Sequence, residues 1–296
     1  MRRPLSLQPL LISRRLRRRL ARRLGPTVNR VRAAVVPDPM IGTRPWSHVM
    51  FDCASISIFA LLTWWWAASW TMPRTFDDVA LLACAMLCAS LFADFGSGMV
   101  HWWADTWGSE NWPVVGKALI GPFREHHVDP KAITHHDFLE TNGASSFVVL
   151  PFLGGAIICA HHHGEAFMFA SALLGTVAWL TLGTNQIHKW AHADRAPGFV
   201  RFLQRWGVLL SPEVHSQHHS APYDRYYCIT HGWLNPMLTR IKFFRALEWI
   251  VVRTFGAVPR AEDLSNLAAG RRASALPTGK STARAIRRPH GRPASP

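Results

Sequence analysis

The sequence predicts an all-α integral membrane protein with about four transmembrane helices, a cytoplasmic histidine-rich cap and interfacial helices. Three observations carry that reading. Long internal runs lack any formal charge although the whole chain carries +15. Basic residues crowd both ends of the chain. The 16 histidines nearly match the 18 carboxylates, and most of them fall at or beyond the ends of the uncharged runs.

Each span follows from one such run. Cys53 to Met72 contains 20 consecutive residues without a formal charge, enough for a helix to cross a hydrocarbon core of about 30 Å. Val79 to Ala93 is a second run, continuing past Asp94 to His101. Ser145 to Ala160 is a shorter third that carries Pro151, and Ala166 to Ile187 is a fourth of full length. A soluble all-helical core is the alternative, but buried soluble helices seldom run uncharged for this long. No acidic residue precedes Asp38, whereas arginines recur from Arg2 to Arg32, and the tail from Arg271 to Arg292 is also basic. Both termini are therefore expected on the cytoplasmic side, with the short connections 71–78 and 161–165 opposite them. A bacterial inner membrane is the expected location, or the endoplasmic reticulum in a eukaryote.

Outside the spans, residues 1–45 read as a basic, partly disordered arm suited to an anionic membrane surface or to targeting. Residues 46–260 form the membrane domain, and residues 261–296 a disordered basic tail. Nucleic-acid binding is set aside, because the cations flank apolar spans and no nucleic-acid fold signature accompanies them. Phe199 to Leu210 and Met237 to Phe255 mix aromatic and aliphatic residues with arginine, as helices at the headgroup boundary do. The five cysteines contain no C-x-x-C pair and read as small buried residues rather than a disulfide framework or zinc ribbon.

The chemistry-bearing residues gather at one side of this topology. At the end of the second span, in "DFGSGMVHWWADTWGS", His101 and Asp105 lie four residues apart and share a helix face. Ionisable groups at such a depth need partners, so the pair is a site candidate. The bland alternative has His101 donating to a neighbouring carbonyl. The fourth span ends in "NQIHKWAHA", where Asn185, His188 and His192 share one stripe, and an acceptor such as Asp105 or Asn185 would orient metal-bound imidazoles. The stretch "GPFREHHVDPKAITHHDFLETNGA" adds the adjacent pairs His126–His127 and His135–His136. "HSQHH" adds His215, His218 and His219, which on a helix can all face one site while the last two diverge toward different ions. His161, His162 and His163 lie across the membrane and read as a solvated cap.

Eight to ten histidines exceed the four ligands of a structural zinc. Two irons fit the count, and a nitrogen-rich di-iron centre separates this chain from soluble four-helix di-iron proteins, which use mainly carboxylates. A non-catalytic metal sensor or carrier holding zinc is the reading from a different class. No nicotinamide fingerprint is present, since no G-x-G-x-x-G links a strand to a helix.

Over roughly Phe95 to Ile241 the chain resembles the Kua/CarF-type lipid desaturases, whose characterised members are plasmanylethanolamine desaturases. "GMVHWWADTWG", "PFREHHVDP", "ITHHDFLETNG", "NQIHKWAH", "HSQHHSAP" and "YYCITHGWLN" occur in the family's order. The resemblance implies a membrane di-iron enzyme that uses O2 to convert the sn-1 alkyl ether of an ethanolamine phospholipid into a vinyl ether. It implies metal-ligand roles for His101, His126, His127, His136, His188, His192, His215, His218 and His219, with Asp105 as the matching acidic residue. His135 and His231 depart from the pattern and are left out of the ligand set. An external cytochrome or ferredoxin-type donor is implied, with its reductase. Arg124, Lys131 and Lys189 are candidate phosphate contacts or generic membrane-facing cations. A phosphatidylglycerol-type acyl-lipid desaturase and a membrane hydroxylase or sterol oxidase are the alternatives within this chemistry.

Overall fold

A computed structural model describes residues 44–70, 72–220, 223–257 and 259. The N-terminal arm, apart from residues 44 and 45, and the basic tail lie outside the described residues. The chain divides into two compact units between Val49 and Met50, and the architecture below is that of the second.

Every regular element among the described residues is helical. The chain forms α1 (Trp46–Ala68), α2 (Phe76–Thr106), a π-helical turn (Gly116–Ile120), α3 (Gly121–Val128) and a 3-10 turn (Ala132–His135). It continues with α4 (Phe138–Val148), α5 (Leu150–Ala160), α6 (Glu165–His192), α7 (Gly198–Arg205), α8 (Pro212–Ser216), α9 (Asn235–Arg240) and α10 (Phe243–Phe255). Three of these, α1, α2 and α6, are long and apolar enough to cross a membrane; α4 and α5 make a fourth crossing if the bent pair is one span.

The third span thus differs from its sequence-based outline. It starts earlier, at Phe138, and breaks at Val149 with a 54° bend. Pro151 explains the break, because proline lacks the N–H that a continuous helix requires and its ring crowds the preceding turn.

The start of α2 is encoded locally. Thr75 accepts from the Asp78 N–H at 3.1 Å while Asp78 Oδ2 accepts from the Thr75 N–H at 3.0 Å, a reciprocal capping box. The opposite end of α2 carries no basic residue; its last turns hold His101 and Asp105 instead.

Helix α6 is the central strut, packing along α2, α4 and α5. A glycine on α6 makes room for an indole from α1. A Cβ at Gly175 would lie 2.2 Å from Trp66 Cζ2, so only glycine leaves room for that indole. The Trp66 Nε1 donates to Ser171 Oγ at 3.0 Å, and Ser171 donates onward to the Ala156 carbonyl at 2.8 Å, linking α1, α6 and α5 through satisfied polar groups. Phe59, Val149, Leu153 and Ala178 form the apolar cluster between these helices.

Large apolar side chains remain exposed along the long helices, including Leu61, Trp64, Met86, Phe92, Ile158 and Trp179, as lipid-facing positions do. Helix α7 likewise exposes Phe199 and Phe202 beside Arg201, and α10 exposes Trp249 and Phe255. All five cysteines are free; Cys228 is buried as expected, whereas Cys53 and Cys84 face outward from α1 and α2.

Gly175→Ala is expected to displace Trp66 and break its bond to Ser171. Overpacking of this kind costs about 1–3 kcal/mol. A lowered melting midpoint of the detergent-solubilised protein checks it.

Candidate metal centre

The C-terminal ends of α2 and α6 meet, the tilted rings of His101 and His188 lying 5.8 Å apart. Around that junction the chain assembles two groups of ligand atoms, each group internally within 4.8 Å. One contains His126, His188, His192, His215 and His219. The other contains His101, Asp105, His127 and His218. The adjacent pairs divide between them: His126 and His219 join the first group, His127 and His218 the second. Because neighbouring side chains on α3 diverge, one short helix serves both groups.

Within the first group, His215 Nε2 lies 2.9 Å from His188 Nε2, 2.7 Å from His192 Nε2 and 3.0 Å from His219 Nε2. In the second, Asp105 Oδ2 lies 3.0 Å from His127 Nε2, 3.3 Å from His218 Nε2 and 3.4 Å from His101 Nε2. His218 Nε2 and His127 Nε2 are 3.2 Å apart.

These contacts cannot all be hydrogen bonds. A neutral imidazole has one N–H and one lone pair, so a nitrogen facing three other ring nitrogens leaves lone pairs opposed. A cation at the centre of each group resolves the conflict. For a metal–imidazole bond of about 2.1 Å, neighbouring nitrogens around one ion lie roughly 3 Å apart, the spacing found here. Several buried ring atoms, including His101 Nε2 and both nitrogens of His126, have no hydrogen-bond partner within the protein, and neither has Asp105 Oδ1. The donor set of imidazole and carboxylate therefore fits borderline first-row metals such as iron, copper and zinc.

Two histidines have their tautomer fixed. His101 Nδ1 faces the Tyr227 carbonyl at 3.0 Å, and His218 Nδ1 faces the Arg225 carbonyl at 2.9 Å. A carbonyl accepts only, so each Nδ1 carries the proton and each Nε2 presents its lone pair to the group. His101 thus does donate to a carbonyl, as the bland alternative had it, while its other nitrogen faces the cluster.

Burial favours the same uncharged state. It holds the imidazoles of His126, His215, His218 and His219 below the ordinary histidine range. Neighbouring imidazoles push His126, His215 and His219 the same way, and Asp105 partly offsets the effect at His218.

Other sequence-flagged residues lie elsewhere. His136 is half-exposed, 3.9 Å from Glu140, with its carbonyl accepting from Lys189 Nζ, and it joins neither group. Asn185 donates to the Thr141 carbonyl at 3.3 Å, tying α6 to α4 rather than orienting a histidine. His135 is exposed, and His231 contacts the Val208 carbonyl and stacks on Trp233, outside both groups. His161, His162 and His163 are exposed. Arg124 donates to the Trp107 and Gly108 carbonyls at 3.0 and 2.9 Å, Lys131 pairs with Asp194, and Lys189 is bonded as above. His215, His218 and His219 do not share one helix: α8 ends at Ser216 and the last two histidines sit in the following turn.

A helical membrane protein with paired histidine-rich ligand groups at the end of its spanning helices is the class this fold and site define. The lipid desaturase domain family matches residues 90–262, and the chain belongs to that family. It is 48% identical over 189 residues to a plasmanylethanolamine desaturase of Myxococcus xanthus, covering 64% of this chain and 67% of the relative. Plasmanylethanolamine desaturase 1 of Mus musculus is 45% identical over 199 residues, covering 64% and 71%. Fatty acid desaturase 4-like 1, chloroplastic, of Arabidopsis thaliana is 32% identical over 236 residues, covering 76% and 73%. No solved structure matches the chain.

The neutral imidazoles set a pH dependence for the metal-free protein. Their folded pKa values lie below the unfolded value of 6.5, so the unfolded chain binds more protons below that pH. Stability is expected to be intact above about pH 6.5 and to fall as the pH drops toward 5. Thermal melts of chelator-treated protein across that range check the sign.

Proposed function

We propose that the chain is an O2-dependent di-iron desaturase that converts plasmanylethanolamine to its vinyl-ether product, a plasmalogen. The observation that carries the reading is the pair of adjoining ligand groups, built from eight histidines and Asp105 where α2 and α6 end. Relatives that carry the name plasmanylethanolamine desaturase support the substrate, each matched over about two thirds of its length or more.

The metal pair, when bound, supplies activation of O2 and the oxidising power to cut unactivated C–H bonds. The protein's own contribution is positional. His126, His188, His192, His215 and His219 would hold one ion, and His101, Asp105, His127 and His218 the other. The Tyr227 and Arg225 carbonyls keep the Nε2 lone pairs of His101 and His218 available for binding. His101, His215 and His218 are sealed from solvent, whereas His192 and His219 are only half-buried, so the first group is the more open toward an entering lipid. Removal of two hydrogens from the carbons beside the ether oxygen, with reduction of O2 to two waters, requires two electrons and two protons from outside. A cytochrome or ferredoxin-type donor with its reductase fits that need, and the basic chain suits an acidic carrier. In this reading both termini lie on the cytoplasmic side of a bacterial inner membrane, the side on which such a carrier would be found. The membrane desaturase domain is taken as residues 46–260, between the basic arm and tail.

The Arabidopsis relative named as a fatty acid desaturase supports a second reading, in which an ester-linked acyl chain is the substrate. Lipid mass spectrometry decides between them. Plasmalogen-free host cells fed an alkyl-ether lysolipid are expected to accumulate acid-labile vinyl-ether lipids with the intact protein and none with His218→Ala. A new double bond confined to esterified chains would assign the second reading. His136→Ala, which alters a residue outside both groups, is expected to keep activity within about threefold, whereas loss of a buried ligand removes it.

A further inference from the structure

The proposed metal pair is unequal in its outer support, and the inequality leads to a residue deep in α2. Asp94 is fully buried within a span. An ionisable group there is costly unless it is well partnered. Its partners are three backbone N–H groups of one distant segment: His231 and Gly232 donate to Oδ1 at 2.8 Å each, and Leu234 donates to Oδ2 at 3.1 Å. A carboxylate taking three such bonds locks the conformation of that segment onto α2.

The same segment is pinned at further points. Ser97 Oγ, one turn along α2, accepts from the Ile229 N–H at 3.0 Å. Thr230 Oγ1 lies 2.8 Å from Thr184 Oγ1 on α6. Asn235 closes the loop on itself, its Oδ1 accepting from the Cys228 N–H and its Nδ2 donating to the Cys228 carbonyl, both at 2.9 Å. Gly98 allows the contact, since a Cβ there would lie 2.6 Å from Cys228 Sγ and 3.3 Å from the Cys228 nitrogen.

Immediately before this clamp the chain presents the carbonyls of Arg225 and Tyr227 to His218 and His101. Both histidines belong to the group that contains Asp105. The Nδ1 atoms of His126 and His215 in the other group, and of His127 in this one, are buried without a hydrogen-bond partner in the protein. The clamped segment therefore supplies carbonyl acceptors to two imidazoles of the Asp105 group, whereas toward the other group Ile229 and Thr230 only pack against α6.

We propose that Asp94 is a positioning residue for the Asp105 side of the metal pair, acting through residues 225–234 to hold the tautomer and aim of His101 and His218. Asp94 touches neither group; it fixes the template that does. Loss of its charge loosens the Arg225 and Tyr227 carbonyls, frees the two imidazoles to turn or change tautomer, and weakens one metal position selectively. This inference rests on the two-ion reading of the site.

Anaerobic titration of the metal-free full-length protein in detergent with Co(II), followed by visible absorption and bound-metal analysis, tests it. The unaltered protein is expected to take up two ions per chain, and uptake of fewer than two would count against the two-ion reading itself. Asp94→Asn is expected to weaken one ion about 10- to 100-fold, the usual effect of removing an outer support, and to leave the other unchanged. The spectral component lost should be the one missing from His101→Ala. Ser97→Ala, which removes one bond to the segment, from the Ile229 N–H, and one within α2, to the Asp94 carbonyl, provides a milder variant with a smaller loss at the same ion. Two ions bound with unaltered affinity and spectra in Asp94→Asn would overturn the proposal, as would equal weakening of both ions in folded Ser97→Ala.

Discussion

Lone pairs that face one another at close to 3 Å are the constraint on which the rest of this structure depends. Eight imidazoles and a carboxylate are packed into two adjoining groups, most of them sealed from water, and several of their buried polar atoms have no hydrogen-bond partner in the protein. Such an arrangement is costly for a polypeptide alone, because buried polar atoms without partners each cost free energy. It is reconciled by cations that accept all the lone pairs at once. The proposed di-iron desaturase chemistry grows out of that single reconciliation.

The membrane architecture serves the same end. Helices α2 and α6 deliver two residues each, four positions apart on one face, to the boundary where their ends meet. Neither helix completes the site. The connection through α3 adds one histidine to each group, and the turn after α8 does the same, so two elements outside the long spans straddle both groups. The cluster of Trp102, Trp107, Tyr227, Cys228, Leu238 and Phe244 packs the chain from 227 onward against α2, which brings the carbonyl-bearing segment under the histidines. Apolar packing thus sets the height of the template, and hydrogen bonds to Asp94 and Ser97 set its register.

Much of this was legible in the sequence, and for identifiable reasons. The apolar runs outlined the spans because charge is excluded from a hydrocarbon core, and the spacing of His101 with Asp105, and of His188 with His192, is a local property of a helix. The adjacent pairs His126–His127 and His218–His219 hinted at two ions for the same local reason. What stayed hidden depends on long-range contacts. Nothing local separates His136 from His127, yet one points into the cluster and the other sits beside Glu140. Asn185 shares a helical stripe with His188 but faces Thr141 on α4. The bend at Val149 was foreshadowed by Pro151, whereas the earlier start at Phe138 lay in a stretch too polar to mark a span. Asp94 was visible only as a charge interrupting an apolar run, and its partners lie more than 130 residues away.

Iron K-edge X-ray absorption, combined with metal quantification on protein purified from iron-replete cells, tests the central claim most directly. The account predicts two irons per chain in a shell dominated by imidazole nitrogen at about 2.0–2.2 Å, with a minor carboxylate contribution. A single zinc per chain, or a first shell dominated by sulfur or by water oxygen, would contradict it.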